Sequence, residues 1–345
     1  MNRYLPPEWA PQSAVLLTWP HASSDWQPYL THVEPVFIEI AREVACRERL
    51  IIACQDNAHS EHVKNLLLAH KVYLPKIDIY ATDSNDTWAR DHGPITVLES
   101  GQPKLLDFIF NGWGGKFNAD LDNQITQRLH GALTFGRTPL ETIDMVLEGG
   151  SIDVDGTGTL LTTTRCLLAP TRNPTMTKTQ VEDTLCELLG VKRFLWLENG
   201  YLAGDDTDSH IDTLARFCDP HTLCYVACDD PSDEHYAELK AMEQELKAFR
   251  DANNNPYRLV PLPWPSAKYD SEGHRLPATY ANFLIINGAV LVPTYEDSKD
   301  NEALASIRSC FPDREVIGIP CLPLIWQHGS LHCVTMQIAA PVKIV

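Results

Sequence analysis

The chain has 345 residues, 44% hydrophobic and 21% charged, a globular composition whose length alone allows one large domain or two. Its net charge of −18 argues against nucleic acid, which needs clustered lysine and arginine, and suits a small cationic partner. No apolar run reaches the roughly 18 residues of a membrane-crossing helix, so no membrane association is expected.

In chain order, the first stretch, MNRYLPPEWAPQSAVLLTWP, is interrupted by Pro6, Glu8 and Pro11 and does not read as a secretory signal. The ten cysteines are therefore expected as free thiols in the cytoplasm. Strand-like runs follow at 13–19, 49–54, 76–81, 104–110, 158–163, 193–197, 222–228, 281–287 and 315–319. Helix-period stretches lie between them at 32–46, 121–133, 177–190, 233–250 and 300–310, and Gly190 stands where a C-cap is wanted. Cys218, Cys224 and Cys228 form no CxxC pair, so no zinc site is expected there. Helices beginning near 121, 177 and 233 are about 56 residues apart, and the next follows after about 67, which points to repeated units. Several strands per helix exclude a simple βαβ pattern, and no GxGxxG or GxxxxGKS loop is present. The expectation is one α/β domain over residues 1–345, built from about five strand-rich modules.

Three polar loops stand where apolar strands stop: DSNDTWARDHGPI (83–95), VLEGGSIDVDGTG (146–158) and GDDTDSHIDTLARF (204–217). Turn chemistry alone would account for any one of them. Their spacing adds more: Asp91 to Glu148 is 57 residues, Glu148 to His210 is 62, and His210 to Cys333 is 123, about twice the interval. One polar loop per module would converge on one site if the modules repeat around an axis. Gly149 and Gly150 would let backbone approach closely there. Within QHGSLHCVTM (327–336), Cys333 reads by itself as a buried thiol in a strand, and His332 should point to the opposite face. A cysteine nucleophile needs a base, usually histidine. The surplus of carboxylates (Asp91, Glu148 and Asp212, with Asp205, Asp206 and Asp208 near) would raise a thiol's pKa and makes sense if the substrate is a cation. A guanidinium matches carboxylates bidentately, and Trp88 either offers it a face or packs beneath the loop.

NDTWARDHGPI, VLEGGSIDVDGTGTLLTTTRCLL, GDDTDSHIDTLARF and HGSLHCVTMQ, in this order, closely resemble the agmatine deiminase and bacterial peptidyl-arginine deiminase family of guanidino-group modifying enzymes. PPEWAPQSAVLLTWPH and FNGWGG (110–115) agree, so the resemblance spans residues 5 to 338. It implies the pentein fold, a five-fold pseudo-symmetric α/β propeller of ββαβ-type modules. It further implies Cys333 as nucleophile, His210 as general acid and base, and Glu148 orienting His210 and holding substrate nitrogens. Asp91 and Asp212 would grip the guanidinium, with Trp88 and Trp113 beside it. The implied reaction is hydrolytic deimination through a covalent amidino-cysteine, most simply agmatine to N-carbamoylputrescine and ammonia in polyamine biosynthesis. No metal or cofactor is implied, and a homo-oligomer is compatible with the pattern. Peptidyl- or free-arginine deimination is the alternative, with Arg90 as the candidate for a substrate carboxylate; a polyamine-binding protein and a thiol protease are more distant. The family more often carries Asn-Gly-His and Gly-Gly-Asn-Ile-His-Cys where this chain has Asp208-Ser209-His210 and His328-Gly329-Ser330-Leu331-His332-Cys333.

Overall fold

The computed structural model describes residues 3–345, and each of the nine strand-like runs and five helix-period stretches above contains a strand or a helix. The apolar runs in Gln12–Thr18 and Arg49–Cys54 are continuous because both faces of these strands are covered. Along the strand Gln12–Thr18, Val15 and Leu17 enter one hydrophobic core while Ala14 and Leu16 enter another. Arg49–Cys54 divides the same way, with Leu50 and Ile52 on one side and Ile51 and Ala53 on the other. The helix Leu30–Arg47 buries Val33, Val36, Phe37, Ile40, Ala41 and Val44, one stripe at helical spacing. Phe37 packs on Trp19 with ring centroids 5.4 Å apart. The helix Lys178–Leu189 starts with a capping box between Thr177 and Gln180 and ends at Gly190, which is left-handed (φ 72°) as expected.

The fold is mixed α/β, with its strands in several small sheets. Four of them repeat one plan: an antiparallel pair, a helical connection, then a third strand parallel to the second. The pairs Ile95–Glu99/Gln102–Ile109, Ile152–Val154/Thr159–Thr163, Ala215–Asp219/Thr222–Val226 and Leu284–Ile286/Ala289–Thr294 are completed by Leu140–Val146, Arg193–Leu197, Arg258–Leu262 and Glu315–Pro320. A fifth sheet joins distant parts of the chain. Thr335–Ala339 runs antiparallel to Gln12–Thr18, beside which Arg49–Cys54 and Ile77–Ala81 lie parallel. A short hairpin, Lys268–Tyr269 with Arg275–Leu276, stands apart.

The helix Asn57–Ala69 was not expected, because it buries only Val63 and Leu67 and so has almost no apolar period. Cys333 lies in a turn before Thr335–Ala339, not within a strand. All ten cysteines are free, and among the described residues no helix is long and apolar enough to cross a membrane.

Candidate active site

The repeated topology repeats a position. Five turns, each just before the first strand of an antiparallel pair, supply the polar residues. Asp91 lies in the helical turn Ala89–His92 ahead of Ile95–Glu99, and Glu148 directly precedes the turn Gly149–Ser151 and the strand Ile152–Val154. His210 and Asp212 flank the start of the turn Ile211–Thr213 before Ala215–Asp219. Asn282 precedes Leu284–Ile286, and Cys333 precedes Thr335–Ala339.

Gly150 is the point around which three of these side chains assemble. A Cβ there would lie 2.6 Å from His210 Nδ1, 3.0 Å from Asp91 Oδ1 and 3.1 Å from Asp212 Oδ2. Its N–H donates to Asp91 Oδ1 at 3.0 Å, and the indole of Trp113 donates to Asp91 Oδ2 at 2.9 Å. Trp113 itself is left-handed (φ 55°), a strained backbone of the kind that persists where surroundings dictate it. His210 Nδ1 is 3.7 Å from Asp91 Oδ1, and neither ring nitrogen has a hydrogen-bond partner.

Cys333 Sγ meets Asn282 Nδ2 at 3.3 Å and Asp212 Oδ2 at 3.8 Å. Asn282 is fixed by its other atoms: Oδ1 accepts the N–H groups of His332 (2.9 Å) and Cys333 (3.3 Å). Asp212 Oδ2 accepts from His332 Nδ1 at 2.8 Å, and His332 Nε2 meets Glu8 at 2.7 Å and Arg216 at 3.1 Å. Arg216 also pairs with Glu8 and with Asp153 (3.2 Å), so a buried charge network backs Asp212. Glu148 Oε1 takes Arg172 Nε at 2.8 Å with both side chains fully buried, and Arg172 continues to Asp208 at 2.6 Å.

These contacts push the titrating groups apart. Burial, then Asp212 and Glu148, raises Asp91 well above the usual carboxylate range. Burial would raise Asp212 too, but His332 and His210 outweigh it and hold Asp212 low. The Cys333 thiol is raised well above 9 by burial, Asp212 and Asp91, so it rests protonated at neutral pH. Burial pushes His210 down to about 3, which leaves its imidazole neutral. Such a split between paired acids is what acid–base chemistry at neutral pH requires.

Above Cys333 opens a cavity of about 150 Å³ lined by Asp25, Asp86, Asp91 and Asp206, with Trp88, Trp113 and Phe117 as its aromatic wall. No lysine or arginine stands among the described residues lining it. Trp88 packs beneath its loop, the second of its two expected places. It faces the cavity while packing on Trp26 at 5.9 Å and on Gly329, where a Cβ would stand 2.0 Å from its ring.

The sequence profile of the Porphyromonas-type peptidyl-arginine deiminase family matches residues 4–339. The chain belongs to that family. A C. jejuni structure described as an agmatine deiminase cysteine-to-serine variant with substrate bound is 38% identical over 99% of this chain and 97% of its own, with a TM-score of 0.91. A Porphyromonas gingivalis structure, provisionally named an arginine deiminase, is 55% identical over 98% of each chain, with a TM-score of 0.92. A Shewanella protein (strain W3-18-1), provisionally named an agmatine deiminase, is 33% identical over 98% of this chain and 94% of its own.

In this deiminase-family chain the expected residues Cys333, His210, Glu148, Asp91, Asp212, Trp88 and Trp113 stand in or around one cavity, with three differences in their local geometry. Glu148 makes no hydrogen bond to His210 in the structure; the two approach within 4.8 Å, and Arg172 takes the Glu148 oxygen. Asp212 lies in a helical turn, not in an extended piece. His332 does not turn away from the site chemistry, because it shares Asp212 Oδ2 with Cys333. Arg90 is also displaced from its expected use. It bonds Glu8 and Gln337 and lines a separate cavity of about 80 Å³. Asn282 and Arg172 escaped the sequence reading. For Asn282 a signal existed: the doubled interval between His210 and Cys333 leaves one module without a polar residue, and Asn282 fills it. Arg172 had no such signal, since a lone arginine in a loop is ordinarily solvated.

Proposed function

We propose that this protein hydrolyses the guanidinium group of agmatine to a ureido group, releasing ammonia, as the relatives named agmatine deiminases do by name. The observation that carries the reading is a cysteine sulfur at the base of an acid-lined cavity without a lysine or arginine. Agmatine carries a guanidinium at one end and an ammonium at the other, and Asp25, Asp86 and Asp206 suit the ammonium. Arginine would bring a carboxylate against those acids, and Arg90, which could have met it, faces another cavity.

The catalytic roles follow from the electrostatics. A bound guanidinium offsets the repulsion among Asp91, Asp212 and Glu148 and favours the thiolate of Cys333. The sulfur bonds to the guanidinium carbon, and the proton lost by the thiol is the one His210 delivers to departing ammonia. Water, deprotonated by the now neutral His210, attacks the amidino carbon; the C–S bond breaks and the ureido product leaves. Asp91 and Asp212 hold the cation, Glu148 holds substrate nitrogens through its free Oε2, and Trp88 and Trp113 wall the cavity. The repeated strand–strand–helix–strand plan, with one polar turn per unit, supports a single pentein domain over residues 1–345, a pseudo-symmetric five-fold propeller.

Ammonia and ureido product are to be measured with agmatine, free arginine and an arginyl peptide at equal concentration. Agmatine is expected to be preferred, and Cys333→Ala to lose about 10³-fold or more in kcat. Preference for either arginine form overturns the agmatine assignment, and undiminished turnover in Cys333→Ala overturns the covalent route.

A further inference from the structure

One buried thiol stands against the proposed machinery without a part in it. Cys166 lies in the turn Thr164–Leu167 and is wholly buried. Its Sγ, a ring nitrogen of His210 and a carboxylate oxygen of Glu148 lie within 4.8 Å of one another. Thr163 holds this turn to the histidine loop: its hydroxyl accepts the Cys166 N–H at 3.2 Å and donates to the Ser209 carbonyl at 2.8 Å. Glu148 Oε2 and both ring nitrogens of His210 are closed to solvent and have no hydrogen-bond partner. Buried polar atoms without partners are costly, so they point to something bound there. Substrate nitrogens satisfy the oxygen and the imidazole, but they do not explain a sulfur in the same cluster.

We propose that Cys166, His210 and Glu148 form a binding site for a soft divalent cation of the Zn²⁺ type, and that metal held there withdraws His210 from the reaction. A thiolate, an imidazole and a carboxylate are each ordinary zinc ligands. Zinc bond lengths of about 2.0–2.3 Å place a sulfur, a nitrogen and an oxygen ligand roughly 3.3–3.5 Å apart, so the three side chains need to close by up to about 1.5 Å. Binding releases the Cys166 proton to solvent and transfers no electron. A divalent ion with one new thiolate therefore adds the same single positive charge as a guanidinium, so Asp91 and Asp212 favour it for the same reason. Arg172 opposes it, but its charge is already met by Glu148 and Asp208.

The inhibitory consequence rests on the deiminase reading, whereas the binding does not. Titration of Cys333→Ala with Co²⁺ therefore reads the site without turnover. A thiolate-to-cobalt absorption in the near ultraviolet is expected, and adding Cys166→Ser should abolish it and weaken binding at least about 100-fold. His210→Ala in the same background leaves the sulfur in place and should weaken binding comparably, which keeps the site testable if Cys166 variants fold poorly. In the wild type, Zn²⁺ should compete with agmatine, and Cys166→Ala should raise the inhibitory concentration by a similar factor. An absorption that survives Cys166→Ser, or one that is absent from Cys333→Ala and present in wild type, overturns the site. If agmatine is not turned over yet the cobalt band behaves as stated, the functional reading fails and the metal site stands.

Discussion

Asn282 touches the proposed nucleophile from a mostly apolar run, and its amide does what a carboxylate could not. It holds Cys333 Sγ at 3.3 Å while adding no charge to a thiol already raised by Asp212 and Asp91. Asn282→Asp places an anion at that distance. It should slow alkylation of Cys333 by a haloacetamide at neutral pH at least about tenfold, moving the rise in rate to higher pH. Asn282→Ala should lower kcat without that shift, and an identical alkylation profile in all three proteins would reduce Asn282 to packing. The contrast with Asp91, Glu148, His210 and Asp212 shows what sequence reveals at this scale. Those four stand among other acids, glycines and a tryptophan, so their loops announce themselves. Asn282, Arg172 and Glu8 act through partners 51, 24 and 324 positions away, and no local pattern marks such pairs.

The loop carrying His210 is held in an unusual shape by its own polar residues. Asp208 and Ser209 are both left-handed (φ 66° and 67°), a conformation that glycine adopts at no steric cost. Asp205 fixes it by accepting the N–H groups of Thr207 (3.0 Å) and Ser209 (2.7 Å). The departure from Asn-Gly-His has a use at Asp208, which pairs with Arg172 and with Lys116 at 2.8 Å. At Ser209 the side chain makes no hydrogen bond among those described, so Ser209→Gly should relieve strain. We expect it to gain about 0.5 kcal/mol in urea unfolding with kcat unchanged. A loss of stability would mean that the loop is not strained at this residue. The cysteine loop departs likewise: His328 Nδ1 meets the Gly204 carbonyl at 2.7 Å, and Ser330 meets the Tyr295 hydroxyl at 2.8 Å. Both departures thus tie neighbouring loops together, which the sequence alone could not show because each partner is remote.

Across the molecule the net charge is −18, and four aspartates line the cavity above Cys333. A dication such as agmatine should lose kcat/KM as salt rises from about 0.01 to 0.15 M, where screening shortens from roughly 30 to 8 Å. Asp86, pushed up to about 6 by burial, adds a pH term. Its charge is present above that value and lost below it, so KM for agmatine should climb as pH falls through about 6. Asp86→Asn should raise KM at neutral pH and flatten the climb, and a KM independent of both salt and pH would detach the acids from substrate binding. The strands that build this frame were legible because two-sided burial leaves long apolar runs. Their partners Ile95–Glu99, Leu140–Val146, Ile152–Val154, Ala215–Asp219, Arg258–Leu262 and Ala289–Thr294 were not, and the strand expected around Cys333 begins only at Thr335. The sheet that joins Thr335–Ala339 to Gln12–Thr18 also sets an order on biosynthesis. The segment holding Cys333 gains its strand partner from residues made more than 300 positions earlier. A ribosome-bound chain can therefore have four of the five polar turns folded and still lack the proposed nucleophile, and activity should appear only after residue 339 has left the exit tunnel.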